Sequence, residues 1–263
     1  MLLFLRIPYT IAIIYFLQIE NQYGAAVYEV CTYILTAFLI WWERGGLAEF
    51  NIDKSALVMI LLFRPFQTLI LSYWRVESPL VFPGFPSLMI WAASIALGVS
   101  VWRSGVKFTH LTASTWMWLG IGIGAGICVS ILENFASFRS ILSSNQSAFF
   151  PLVVKSTSLN LLYHLGFAAI NEEPLFRGFL WGVLRQRKWN EGWILIFQTI
   201  LFTCAHVYFA KQFPLLFWVF IPGAALLFGL LTMGSRSISP AILAHGMING
   251  SAYVLAAGLF SGI

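Results

Sequence analysis

The stretch TWMWLGIGIGAGICVSIL, residues 115–132, contains no charged side chain. It approaches the roughly 20 apolar residues that an α-helix needs to cross about 30 Å of hydrocarbon. A second stretch, ALVMILLFRPFQTLILSYW at 56–74, has the same character apart from one arginine. The remainder of the chain is alike: of 263 residues, 59% are hydrophobic, 17% aromatic and only 10% charged, with a mean hydropathy of +0.83. Soluble domains carry about 25% charged residues. The polar surface is too small to cover a globule in water, so the composition predicts an all-α, polytopic transmembrane helix bundle.

Apolar segments at 4–19, 24–42, 56–74, 85–102, 113–132, 156–184, 193–210, 213–233 and 238–260 predict roughly 8–9 spans. The first is interrupted by Arg6 and Pro8, and with no small-residue cleavage site after it reads as a retained span. The connections are short, and a polar-then-apolar stretch at 143–155 reads as an interfacial helix. The formal net charge of +5 is spread along the chain, which is no nucleic-acid footprint. With the N-terminus in the cytoplasm, Arg6, Arg44, Lys54, Arg103, Lys107, Arg185, Arg187, Lys188 and Arg236 fall on that side, and only Arg75, Arg139 and Lys211 on the other. This is the orientation that the positive-inside rule selects. Cys31, Cys128 and Cys204 lie in apolar segments and read as small core residues, with no disulfide framework.

Against this background the segment NEEPLFRGFL, 171–180, stands out. Ionisable groups inside spans are costly, about +2.5–3.5 kcal/mol each, and face a bundle interior or a wet cavity. Glu173 and Arg177 stand at i and i+4, with the acid N-terminal to the base, which pairs them on one helix face. Glu172 points about 100° away from that pair, where a carboxylate can serve as a general base. Pro174 removes a backbone donor and predicts a kink beside the carboxylates. Further on, His206 follows Phe202 by four residues in LFTCAHVYFA, and His245 and Asn249 are four apart in ILAHGMINGS. An imidazole and a carboxamide on one helix face form a donor pair suited to a developing oxyanion. Together these groups read as a hydrolytic site. His164, about two turns before Glu172, has a weaker claim on the same cavity; His110 reads as solvated, and Arg64 and Lys155 as snorkelling or paired side chains.

The motifs EEPLFRG, FTCAH (202–206) and HGMIN (245–249) resemble, in order, the EExxxR, FxxxH and HxxxN motifs of the CAAX-protease and bacteriocin-processing family of intramembrane proteases. The resemblance covers roughly 150–255, and implies a division into variable N-terminal spans, 1–145, and a catalytic transmembrane core, 146–263. It implies hydrolysis of a peptide bond within the membrane. By motif position, Glu172 activates water with help from His206, and His245 and Asn249 hold the oxyanion. Glu173, Arg177 and Phe202 match the supporting positions. It also leaves two chemistries open. In one, no metal takes part and glutamate is the base. In the other, Glu172, His206 and His245 would bind zinc, as two histidines and a carboxylate do in hydrolytic zinc sites. The absence of HExxH and the presence of Asn249, a poor zinc ligand, favour the first, with no cofactor.

The implied partner is a membrane-associated protein or peptide: a prenylated tail, a bacteriocin leader or a sorting tail. No nucleic acid is expected. Short connections and the lack of targeting signals suit a prokaryotic inner membrane. Two other function classes are weighed against the protease. A proton-coupled transporter would also place carboxylates and histidines in spans, but no inverted repeat is visible. A non-catalytic immunity or scaffold protein would retain the site as a relic, which three intact motifs disfavour.

Overall fold

The computed structural model describes residues 112–135, 169–207 and 209–260, together with Cys31, Ile34, Ala92, Ala96, Val99 and Arg103. All regular structure among the described residues is helical, and two of these helices, Ala113–Glu133 and Leu216–Ser235, are long and apolar enough to cross a membrane. Apart from those six single residues, the first four expected spans lie outside the described residues, as do the interfacial helix at 143–155, His110, His164, Arg64 and Lys155. The chain divides into two units. One comprises Met1–Thr109 and Asn171–Leu226, the other His110–Ile170 and Leu227–Ile263.

In the second unit, α1 (Ala113–Glu133) begins where Thr112 Oγ1 accepts the Thr115 N–H at 3.2 Å. It ends at Asn134, whose backbone N–H and side-chain amide both donate to the Ser130 carbonyl. Nearly every side chain of α1 is apolar, so apolarity alone cannot choose its inward face. Size does: the buried residues are Gly122, Gly126 and Ser130, one turn apart. Against them lies α7 (Ser239–Phe260). A Cβ added at Gly122 would stand 2.5 Å from the Pro240 carbonyl oxygen, and one at Gly126 2.6 Å from that of Ala244. The two numberings rise together, so the helices run parallel. Small residues let backbones meet in this way where lipid removes the hydrophobic drive between helices. Trp116, Met117, Ile121, Ile123, Ile127 and Leu132 stay exposed around the rest of α1. That surface would be a liability in water and is ordinary against acyl chains, consistent with an integral membrane protein.

In the first unit, one helical run occupies 170–186. It passes from α2 (Ile170–Glu173) through a π-helical stretch (Pro174–Leu180) into α3 (Trp181–Gln186). The distortion expected at Pro174 thus takes the form of wider turns, which begin at the residue that lacks an amide hydrogen. The run closes with a Schellman turn: Lys188 N–H donates to Arg185 O at 2.9 Å and Trp189 N–H to Leu184 O at 3.2 Å. Lys188 takes φ 62°, the position where glycine is the usual occupant. A left-handed conformation there costs a side-chain-bearing residue about 1–2 kcal/mol.

Two residues later Asn190 caps α4 (Glu191–Ala205), its Oδ1 accepting from Gly192 N–H at 2.8 Å. The sequence expects one span over 193–210, but α4 stops at Ala205. The reason is His206, whose Nδ1 lies 2.8 Å from the Phe202 carbonyl, while its own backbone N–H turns to Thr203 O. The ring takes the acceptor that the next helical N–H would have used, and the helix ends. A short α5 (Phe209–Gln212) follows, then a π-helical stretch (Leu216–Phe220) leading into α6 (Ile221–Ser235). The hydroxyls of Thr199, Thr203, Thr232 and Ser235 each donate to the carbonyl four residues back. None is left unsatisfied by its apolar setting.

The glycines of α1 separate by position. Gly120 and Gly124 have nothing within 4 Å of an added Cβ. Gly120→Ala and Gly124→Ala are expected to hold or raise stability, by up to about 0.5–1 kcal/mol. Gly122→Ala and Gly126→Ala, which press on backbone, are expected to lose about 1–3 kcal/mol. Unfolding of the four variants in detergent, compared pairwise, checks this.

Candidate active site

The run 170–186 and α4 lie side by side in opposite directions, as three pairs show. The indole N–H of Trp181 donates to Glu191 Oε2 at 3.0 Å. The rings of Phe176 and Phe202 meet edge to face at 5.2 Å. Beyond them, Glu172 Oε2 and His206 Nε2 stand 3.9 Å apart. At the Trp181 end, Arg185 also pairs with Glu191. That end ties the first residue of α4 to the preceding helix and so sets the register that brings Glu172 opposite His206.

The pairing of Glu173 with Arg177 is as the spacing predicts. Arg177 Nη1 donates to Glu173 Oε1 at 3.2 Å, and both side chains are 0% exposed. Arg177 does two further things. Its Nη2 donates to the Ala225 carbonyl at 3.0 Å, binding the run to α6. Its guanidinium also lies over Phe202, 4.7 Å from the ring centroid, within the range of a cation–π contact. The aromatic at 202 is therefore a platform: Arg177 rests on it, and the His206 imidazole stacks on the same ring at 4.6 Å.

Glu172 and His206 differ from that buried pair, retaining 22% and 16% side-chain exposure. A carbonyl oxygen can only accept, so the 2.8 Å contact with Phe202 O assigns the proton to His206 Nδ1. In the neutral ring Nε2 is then an acceptor, and it is the nitrogen that faces Glu172. At 3.9 Å the two do not bond directly. They form a pair of acceptors to which one water molecule can donate both hydrogens.

The second unit carries the other two predicted residues. His245, buried on α7, stacks face to face on Phe228 with centroids 5.0 Å apart. Asn249 lies one turn on, half-buried. The glycine stripe of α1 bears on this helix directly before the histidine, at Ala244. Cys204 is exposed and next but one to His206, with no nucleophile pair formed.

Glu172 and His206 offer a metal one oxygen and one nitrogen. Within their unit no third His, Cys, Asp or Glu joins them in a metal-holding group among the described residues. The described donors of that unit are fewer than the three protein ligands a catalytic zinc takes.

Sequence reasoning missed Phe228, the Trp181–Glu191–Arg185 cluster and Gln198. The last is fully buried, and neither amide atom has a hydrogen-bond partner among the described residues. A polar residue in IFQTI is plain in the sequence, but nothing there says that it faces inward. Gln198→Leu is expected to raise stability by about 1–3 kcal/mol, since an unsatisfied amide would be removed, and the unfolding midpoint reads this directly. For the buried pair, Glu173→Gln and Arg177→Met are each expected to cost about 3–5 kcal/mol, and the double variant clearly less than their sum. A double-mutant cycle that proved additive would refute the coupling.

Residues 154–251 match the family described as Type II CAAX prenyl endopeptidase Rce1-like. No curated protein and no solved structure matches the chain. The matched segment includes Glu172, Glu173, Arg177, Phe202, His206, His245 and Asn249. Over residues 154–251 the chain is thus similar to the Rce1-like type II CAAX prenyl endopeptidases, consistent with the CAAX-protease and bacteriocin-processing family.

Proposed function

We propose that this protein is an integral-membrane endopeptidase that hydrolyses a peptide bond of a membrane-associated or lipidated protein, with Glu172 as the base that activates water. The observation that carries the reading is the 3.9 Å approach of Glu172 Oε2 to His206 Nε2, with His206 Nδ1 held on a carbonyl. Water donating to both acceptors gains nucleophilicity at its oxygen. Its attack on the scissile carbonyl forms the new C–O bond, and Glu172 takes one proton. Collapse of the tetrahedral intermediate breaks the C–N bond, and the same proton passes from Glu172 to the departing amine. His245 and Asn249 are the donors assigned to the oxyanion.

The supporting residues fit this division. Arg177 commits Glu173 to a structural pair and fixes Phe202, on which His206 stacks. Glu172 therefore does the proton work, Glu173 the positioning. The family match over 154–251 supports a peptidase of CAAX type. The absence of HExxH and the presence of Asn249, a poor zinc ligand, support the glutamate mechanism over a zinc-dependent one.

The test compares membrane-protein termini by mass spectrometry in cells carrying wild type or Glu172→Gln at equal expression. Termini formed with wild type are expected to fall at least about 100-fold in the variant, which remains folded and inserted. Identical termini in both would refute the catalytic reading and leave a binding protein. Activity of the purified protein that survives exhaustive chelation supports the glutamate mechanism; activity lost on chelation and restored by zinc overturns it.

A further inference from the structure

In the turn between α3 and α4, RKWNEGW at 187–193, Glu191 alone serves the site described above, through its tie to Trp181 and Arg185. Arg187 and Lys188 are both exposed, and neither has an ion-pair partner among the described residues. The acid close to them, Glu191, is committed to Arg185 and the Trp181 indole, so it does not cancel their charge. Trp189 is 42% exposed and Trp193 65% exposed, one turn apart beside the cations. Lys188 occupies a left-handed position that glycine fills more readily. Folding alone would favour glycine there, so an ammonium group at that point calls for another reason.

We infer that this turn binds the phosphate-bearing headgroup of an anionic phospholipid. Two unneutralised cations supply the charge complement, and exposed indoles settle at the level where acyl chains meet headgroups. The backbone geometry holds both cations on a turn only a few residues long, closed by the bonds to Leu184 and Arg185 and by the Asn190 cap. The inference needs only a bilayer around the chain and stands apart from the reaction proposed above.

The test uses the full-length protein in nanodiscs of phosphatidylcholine with a minor fraction of phosphatidylglycerol, with retained lipid counted by native mass spectrometry. Wild type is expected to enrich phosphatidylglycerol. Arg187→Gln and Lys188→Gln are each expected to lower that enrichment about fivefold, and the double variant roughly 25-fold. Raised salt should weaken it in wild type. Lys188→Gly is the decisive variant: it should lose the same fivefold while unfolding at an equal or higher temperature, which separates binding from folding. Competition by inorganic phosphate at low millimolar concentration would assign the site to free phosphate instead and overturn the lipid assignment. Enrichment unchanged in the double variant, or preferential retention of an acidic peptide over phosphatidylglycerol, would also overturn it.

Discussion

A guanidinium in the interior of a membrane protein needs partners, and Arg177 shows how those partners become architecture. Its ion pair with Glu173 neutralises it, its bond to the Ala225 carbonyl joins two helices, and its contact with Phe202 draws in a third. Removing the charge would take one partner from a carboxylate, a carbonyl and an aromatic face. The same placement fixes the ring against which His206 stacks. Arg177 therefore contributes to both the stability and the geometry of the site.

The site itself is built by ending things early. A histidine in the middle of a span would spend its ring on a neighbour and leave its backbone in the helix. Here the ring takes the Phe202 carbonyl, the helix stops, and the second ring nitrogen is presented to Glu172. On the facing run, the wider turns from Pro174 to Leu180 accommodate the missing proline donor while Glu173 and Arg177 remain paired. Two departures from regular α-helix thus bring one acid and one imidazole together at partial exposure, beside a second acid that is wholly buried.

Much of this was legible in the sequence because polar residues are rare in an apolar chain and hence informative. The i, i+4 spacing of Glu173 and Arg177 predicts their pairing, and the separation of Glu172 from that face predicts that it stands apart from the buried pair. The end of α4 was not legible. FTCAHVYFA continues the apolar run without a glycine or proline, and the stop comes from a side chain competing for a backbone acceptor. Nor does apolar periodicity identify the inner face of α1, where inward and outward residues are equally greasy. Gly122, Gly126 and Ser130 do so by size, against glycines at 120 and 124 that look the same in sequence and face open space. The burial of Gln198 and the stacking of Phe228 on His245 depend on tertiary neighbours that no local pattern encodes.

The length of α4 has one more consequence. Its 15 residues reach about 22 Å, less than the roughly 30 Å of a hydrocarbon core. With the tryptophan-bearing turn held at one headgroup layer, His206 hangs at a fixed depth below it. Any change in bilayer thickness is then felt entirely on the far side of the Glu172–His206 pair. Hydrophobic mismatch becomes a ruler: a thinner membrane brings the opposite interface closer to the reacting pair, a thicker one moves it away. For the endopeptidase proposed above, lipid composition would then choose how far from its anchor a tethered polypeptide is cut.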